Sequence, residues 1–342
     1  MFVVRPVEAA DIPALEALAS VVTPGVHTLP RSRATIERAV ERSLASFAAE
    51  PDLPSEESYM FVLEAPDRGI AGSAAISATA GSSGTFFAFR NDVIQQVSRD
   101  LNISHNVHAL TLSSDLTGHS QLSGFYVREQ HQHGNEAALL SRARLLFAAA
   151  APQRFSDRFF ASLSGYTDGD GRSPFWEALG RKFFQMDFLA AERLIEGARN
   201  RTLIVELMPH YPVYVPLLSG EAQAAMGQVH PEGELPFAIL SSEGFEPDEY
   251  IDIFDGGPIL RAHKSALRSF SATARRIVAS EAADADPATR GMVLLATARD
   301  ERFRAVVAEC TRPELSDSVV LNADLQRSLD VVAGDTVLCV PL

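Results

Sequence analysis

The first 150 residues switch between two hydrophobic periods, and the order of the switches narrows the folds open to this chain. Phe2 to Arg5 is a short apolar run of strand type. From Asp11, placed to cap, the apolar positions Ile12, Leu15, Leu18 and Ala19 follow helical spacing and predict a helix to about Val22. A second helix is expected from about Ser32 to Ala49, with Ile36, Val40, Leu44 and Phe47 on one face. Tyr59 to Glu64 and Ile70 to Thr79 then read as two strands joined by Pro66-Asp67-Arg68-Gly69, a hairpin signal.

Beyond the hairpin, Asn91 to Leu101 reads as a short helix, and Val107 to Leu112 and Leu122 to Val127 as strands. A helix is expected from about Glu136 to Ala150, where Leu139, Leu140, Ala143, Leu146 and Phe147 are apolar. Further strands are expected at Phe159 to Leu163, Thr202 to Glu206 and Tyr250 to Phe254. Helices are expected at Pro174 to Phe184, Tyr214 to Ala225 and Leu235 to Glu243. Strands interleaved with helices and hairpins indicate an α/β layer fold. Composition shifts at Ala272 to Arg290, where Ala279 to Asp286 is small, acidic and linker-like. Short apolar runs follow at Val293 to Ala296, Phe303 to Glu309, Val319 to Leu321 and Thr336 to Val340, and suggest a small β-barrel or sheet module.

At 342 residues and 46% hydrophobic, the chain has material for one large core or a main domain plus a smaller one. A formal net charge of −14 without any Lys/Arg stripe argues against a nucleic-acid partner. No apolar segment is long enough to span a bilayer, and Met1 to Pro6 leads into a strand rather than a signal peptide, so the cytoplasm is the expected compartment. Cys310 and Cys339 are too few for a disulfide framework or a zinc cluster and read as reduced structural thiols. His131 and His133 lack a third spaced ligand, and no metal site is expected.

Two places have the composition of a working site. Strand Leu122–Val127 runs through Arg128 to His133 into Gly134-Asn135-Glu136-Ala137-Ala138 and the helix that follows. This arrangement aims backbone N–H groups and a positive dipole end at one point, as an anionic phosphate requires, and Arg128 and the basic helix residues could add charge. In Gly227-Gln228-Val229-His230-Pro231, His230 has the side chain suited to moving protons near neutrality. By residue type alone His105, His108, His119, His131 and His133 compete with it. Asp115, Thr117 and Ser120 could line a polar pocket, although turn chemistry accounts for them almost as well.

The chain resembles the arginine N-succinyltransferase family over about residues 1 to 260. The likeness rests on Val4-Arg5-Pro6-Val7, Leu29-Pro30, Phe61-Val62-Leu63-Glu64, Asp115 with Thr117-Gly118, and Leu139-Leu140-Ser141-Arg142-Ala143-Arg144. It continues through Ser173 to Gly180, Phe183-Phe184, Met186-Asp187-Phe188, Glu206-Leu207-Met208-Pro209, Gly227 to Pro231, Glu243-Gly244-Phe245 and Ile251 to Pro258. Ala88-Phe89-Arg90-Asn91-Asp92 with Gly124-Phe125-Tyr126 resembles the alpha-subunit type, which pairs with a related beta subunit and is described as acting on arginine and ornithine. The resemblance implies an acyltransferase with a GCN5-type N-acyltransferase-like fold. Trp176-Glu177-Ala178-Leu179-Gly180 and Ser242-Glu243-Gly244-Phe245 each resemble that fold's late helix-then-Gly-Phe signature, which suggests a tandem of halves at about 1–185 and 186–260, followed by the C-terminal module at 261–342.

The resemblance further implies succinyl-CoA as co-substrate with no permanent cofactor, and a homo-oligomer or a hetero-oligomer with a beta subunit. It makes His230 the proton-transferring residue and Phe125 a main-chain contact to succinyl-CoA, where the family usually has Leu. Tyr126, Val127, Asn135, Ala137 and Ala138 then continue the cofactor site. Asp115, Glu206 and Asp187 are candidates for holding the side-chain cation, and Arg90 for the succinyl carboxylate. The family usually has two glycines around an Asn where this chain has Asn135-Glu136-Ala137-Ala138. That departure motivates a second expectation, a non-catalytic or regulatory subunit of a related active chain.

Overall fold

The computed structural model describes residues 1–21, 23, 32–81, 84–195, 206–279, 289–299 and 301–342. The Leu29-Pro30 motif, residues 202–205 of the expected strand Thr202–Glu206 and the linker after Ala279 lie outside them. The chain opens with β1 (Val3–Pro6), α1 (Ile12–Ala19), α2 (Arg33–Ala48), β2 (Ser58–Glu64) and β3 (Ile70–Ser77). This is the expected order, and Ser32 caps α2 by accepting from the Thr35 N–H. A long hairpin follows, β4 (Ala88–Ser98) and β5 (Ile103–Ser113), then β6 (Ser120–Val127), α3 (Glu136–Ala150) and β7 (Arg158–Ser162).

The next stretch is mostly helical: α4 (Pro174–Ala178), α5 (Gly180–Phe184), α6 (Phe188–Ile195), the short β8 (Val213–Tyr214), α7 (Gly220–Ala225) and α8 (Glu234–Glu243). β9 (Glu246–Ile251) and β10 (Pro258–His263) return to the sheet. The C-terminal part holds α9 (Arg268–Ser271), β11 (Ala274–Ala279), β12 (Arg290–Thr297), β13 (Ala305–Thr311), β14 (Ser318–Val320), α10 (Ala323–Leu329) and β15 (Thr336–Pro341). Among the described residues all these strands join one mixed sheet in the order β14-β11-β15-β12-β13-β1-β2-β3-β6-β7-β10-β9-β4-β5-β8. The C-terminal strands enter it through β13, whose Ala305 faces Val4.

β2 reads as continuous apolar sequence because both its faces are covered. Tyr59, Phe61 and Leu63 pack with Leu139, Leu140, Leu146 and Phe147 of α3. Met60 and Val62 pack with Leu15, Leu18, Ile36 and Val40 of α1 and α2 on the other side. Each such side chain, fully buried, contributes about 1.5–3 kcal/mol. The sheet is thereby clamped between α3 and the α1–α2 pair, which fixes the strands on either side of β6.

Four local expectations are corrected. Of the helix expected at Asn91–Leu101, residues 91–98 are strand and the rest is the hairpin turn: Val93 and Val97 lie four apart, which suits a helix stripe and also one face of a strand, and cross-strand pairing with β5 decides. The helix expected at Pro174–Phe184 is broken at Leu179 (φ −121°, ψ −75°), because Gly180 packs directly under the Trp176 ring. The helix expected from Tyr214 begins only at Gly220, after the Ser219 cap; Pro216 lies in a preceding 3-10 turn. The expected polar stretch at Ala272–Arg290 includes β11, which pairs with β15 and β14.

Candidate active site

β6 and β7 are parallel neighbours, paired at Ser120–Phe159, Gln121–Phe160 and Leu122–Ala161. β6 runs on to Val127, but its pairing with β7 stops at Leu122. On its other edge β6 stays bound to β3, with an irregularity: Ser123 faces Ala75 and Tyr126 faces Ser73, so one residue of β3, Ala74, stands opposite Gly124 and Phe125. This is a β-bulge, and Gly124 occupies a left-handed φ of +60° that glycine adopts without penalty. Gly72 is required one pair further on, where a Cβ would lie 2.5 Å from the Tyr126 carbonyl. Ser120 to Leu122 are buried, yet Ser123 to Tyr126 are only partly so, although β6 is an interior strand. The sheet therefore opens a slot where β6 parts from β7.

The His230 segment pairs with the chain just beyond β7 in a short antiparallel run. Val229 bridges Gly165, and the His230 N–H donates to the Ser164 carbonyl at 2.8 Å. The Leu163 N–H faces β10, where it donates to Pro258. By the alternation of a strand, the Ser164 carbonyl faces the opposite side, toward β6. The His230 segment thus fills the edge that β6 vacates. Asp255 fixes the exit of β7 by accepting from the Gly165 and Gly257 N–H groups at 2.7 and 2.8 Å. Burial, then the neighbouring Asp252, pushes its carboxyl up to about 8.

The imidazole of His230 is nearly buried and caps a 3-10 turn, with Nδ1 accepting from the Glu232 N–H at 3.2 Å. Glu232 acts electrostatically on the Tyr126 phenol, whose pKa is raised mainly by burial, and its carboxylate accepts from the Thr23 hydroxyl. Glu232, two residues after His230, is therefore within electrostatic reach of Tyr126 on the bulged strand and is bonded to the segment after α1.

At the other end of the strand-loop-helix unit, α3 starts at Glu136. Asn135 makes no side-chain cap there, and Ala137 is buried while Ala138 is partly so. The Glu136 carboxylate folds over Gly134 so closely that a Cβ there would overlap it. The basic residues expected to add charge here divide: Arg128 is exposed, but Arg142 and Arg144 point into the core. Arg142 pairs at 3.0 Å with buried Glu243 at the end of α8. Arg144 lies under the bulge, with Nη1 donating to both the Ala75 and Ser123 carbonyls at 3.2 Å.

The structure ties Arg90 and Asp115 to each other at 2.8 Å. Arg90 also binds Asp92 at 2.7 Å, and the Tyr250 hydroxyl donates to Asp115 at 2.9 Å. The Asp115 carboxyl is held below its ordinary range, chiefly by the Tyr250 hydrogen bond. β4, which carries Arg90, is three strand spacings from β7 in the sheet order, about 14 Å. Glu206 is exposed, and Asp187 caps α6 by accepting from the Ala190 N–H at 2.7 Å. Among the competing histidines, His108 bonds Asn91 and His131 stacks edge-on against Phe2. No cluster of three or more metal-ligating side chains occurs among the described residues. Sequence reasoning did not single out Arg144 as a strand clamp, nor Ser73, whose hydroxyl donates to the Gly124 carbonyl at 3.1 Å; the isolated glycine inside a strand was the available signal.

A family model described as "Arginine N-succinyltransferase beta subunit" matches residues 2–269. The chain is 44% identical over 338 residues to the arginine N-succinyltransferase subunit alpha of Pseudomonas aeruginosa, covering 98% of each, and 35% identical over 340 residues to that organism's subunit beta. It is 38% identical over 346 residues to the arginine N-succinyltransferase of Escherichia coli, covering 100% of this chain and 98% of that one. The solved structure of arginine/ornithine succinyltransferase subunit AI from Pseudomonas aeruginosa superposes with a TM-score of 0.90 at 40% identity, covering 100% of this chain and 98% of the other. With a slot between parted parallel strands, a helix start beside it and this likeness running the length of the chain, the protein belongs to the arginine N-succinyltransferase family.

Proposed function

We propose that this chain transfers a succinyl group from succinyl-CoA to the α-amine of arginine, and of ornithine as a second acceptor, opening the succinyltransferase route of arginine catabolism in the cytoplasm. It does so without a permanent cofactor and within an oligomer, alone or with a related beta subunit. The observation that carries the reading is the convergence of the bulge at Gly124–Phe125 with His230 where β6 parts from β7.

In this reading the thioester lies in the slot with its carbonyl oxygen on the Phe125 N–H. The pyrophosphate sits at the start of α3, beside Asn135, Ala137 and Ala138, while Tyr126 and Val127 flank the pantetheine arm. The acceptor ammonium first gives one proton to solvent, and the neutral amine attacks the thioester carbon. A second proton must leave the nitrogen as the amide forms, and the departing sulfur must gain one. Because Nδ1 of His230 accepts from Glu232, the neutral ring carries its hydrogen on Nε2 and meets the substrate as a donor. The Nε2 proton passes to sulfur as the C–S bond breaks, and the proton shed by nitrogen restores the ring through water in one relay.

The Arg90–Asp92–Asp115–Tyr250 cluster carries one negative charge in excess and supports an acceptor-cation role for Asp115, with Glu206 as an outlying candidate. Arg90, held by two carboxylates, serves better as the strut of Asp115 than as the holder of the succinyl carboxylate. The division into halves at about 1–185 and 186–260 with a module at 261–342 belongs to the same proposal. Its support is Gly244, which closes α8 at φ +113° with Phe245 in the core.

The test is His230→Ala, assayed by thiol release from succinyl-CoA with arginine. Turnover should fall by about 100-fold or more while coenzyme A still binds; unchanged turnover refutes the assignment. A second reading, a non-catalytic partner subunit, rests on the Glu136 carboxylate at the start of α3. A purified chain that binds arginine's partner thioester but turns nothing over until a related subunit is added would favour it.

A further inference from the structure

Arg144 is a cation placed where none is expected. It is 2% exposed, and among the described residues no carboxylate is paired with it. Burial alone lowers its pKa to about 9. An uncompensated charge in a core is costly and persists where it satisfies groups nothing else reaches. Its donors go to main-chain and hydroxyl oxygens: Nε to the Ser141 carbonyl, Nη2 to the Ser141 hydroxyl, and Nη1 to the carbonyls of Ala75 and Ser123. Ala75 and Ser123 are the register pair just before the bulge, so one guanidinium nitrogen bridges the two strands where their ladder is interrupted. The same guanidinium lies 5.6 Å from the centre of the Phe125 ring.

The carbonyls taken by side chains belong to two consecutive peptide units. Ser123's carbonyl, held by Arg144, shares its peptide with the Gly124 N–H. Gly124's carbonyl, held by the Ser73 hydroxyl, shares its peptide with the Phe125 N–H. A donor on a peptide oxygen polarises the unit and strengthens its N–H as a donor at the far end. Both peptides of the bulge are therefore fixed in orientation and charged in the sense that favours an anion at their N–H side.

We propose that Arg144 and Ser73 are positioning residues that set and polarise the Ser123–Gly124–Phe125 main chain so that it holds the oxyanion formed when the amine attacks the thioester. The inference rests on the acyl-transfer reading above. It differs from a merely structural clamp in what it predicts. Coenzyme A is gripped elsewhere along its length, so loss of either residue should lower kcat and leave coenzyme A affinity in place.

The experiment uses the full chain with Arg144→Lys, Arg144→Met and Ser73→Ala, reading kcat, KM for succinyl-CoA, Kd for coenzyme A and Tm. Arg144→Lys keeps the charge but loses the fork, and kcat should fall about 10-fold. Arg144→Met should fall about 100-fold, the loss typical when an oxyanion donor is removed or misplaced. Ser73→Ala should lose about 10-fold in kcat with Tm near the parent. In each, Kd for coenzyme A should stay within about twofold. The Phe125 amide proton of the free protein should also move upfield in Ser73→Ala, a readout that needs no turnover. Should Arg144→Met not fold, the other two variants decide. The inference is overturned if Arg144→Lys and Ser73→Ala keep parental kcat, if Kd weakens in step with kcat, or if the Phe125 amide does not shift. A parent chain that releases no thiol, alone or with its related subunit, instead sinks the acyl-transfer reading, and the amide shift still tests the polarisation.

Discussion

Glu136 offers the sharpest quantitative test of where the nucleotide end of the thioester sits. Its carboxylate lies over Gly134 at the N-terminus of α3, the point proposed for the pyrophosphate. Glu136→Gln removes that charge with almost no change in size. In a water-like dielectric, one charge at about 6 Å from another interacts by about 0.7 kcal/mol, so two phosphate charges feel about 1.4 kcal/mol of repulsion. Screening reduces this to about 1.1 kcal/mol in about 10 mM salt and about 0.6 kcal/mol in about 150 mM. Coenzyme A should therefore bind Glu136→Gln about sixfold tighter at low salt and about threefold tighter at moderate salt, with little gain near 1 M. The free protein should lose a little stability, because a carboxylate in the first helical turn contributes about 0.3–1 kcal/mol against the helix dipole. Titration calorimetry at three salt concentrations, with thermal melts alongside, measures both effects. Unchanged or weaker binding at low salt would show that the pyrophosphate does not approach α3.

Three further outcomes follow from buried ionisable groups. Arg142→Met leaves buried Glu243 without its cation, with the Ser269 N–H still donating to it, and should cost about 3–5 kcal/mol by urea denaturation, part of which Arg142→Met/Glu243→Met should restore; a loss below about 1 kcal/mol would mean that water reaches the pair. Burial pushes the Cys310 thiol up to about 11 and the Cys339 thiol up to about 12 from an ordinary 9.0, so at pH 8 at most about one in a thousand is thiolate. The folded chain should resist a thiol reagent that titrates both cysteines after unfolding. The two thiols' contribution to stability is complete below pH 9.0 and is lost as pH rises toward about 11 to 12, since only the unfolded thiols ionise in that window.

The parts of the fold that were readable from sequence are those whose pattern admits one period. α1, α2 and α3 each show apolar residues at helical spacing, and α3 is buried on nearly every side from Leu139 to Ala148. β4 failed because Val93 and Val97 satisfy two periods at once, and only its partner β5 selects between them. The basic residues of α3 failed for a related reason. Arg142 and Arg144 read as solvated charge near a phosphate. Their partners, Glu243 and the carbonyls of Ala75 and Ser123, come from segments about 100, 70 and 20 residues away in sequence, which no local window contains.

The site carries the same lesson further. The role proposed for Phe125 lies in its main chain, so its side chain announces nothing, and the family resemblance rather than any local pattern pointed to it. His230 is one histidine among nine, and what distinguishes it is a hydrogen bond from its own N–H to Ser164, placed on the side of β7 that β6 has left. A parallel pair that parts after three residues leaves unpaired main chain on both strands, and buried main chain must find partners. On the β7 side the partner is the His230 segment. On β6 the carbonyls of Ser123 and Gly124 are held at the bulge against β3, by Arg144 and Ser73, and the N–H groups of the same two peptides point away from those donors. In the proposed reading the proton donor and the oxyanion site belong to one stretch of β6, which bulges against β3 at Gly124–Phe125 just after it parts from β7, so acyl transfer needs no metal cluster there.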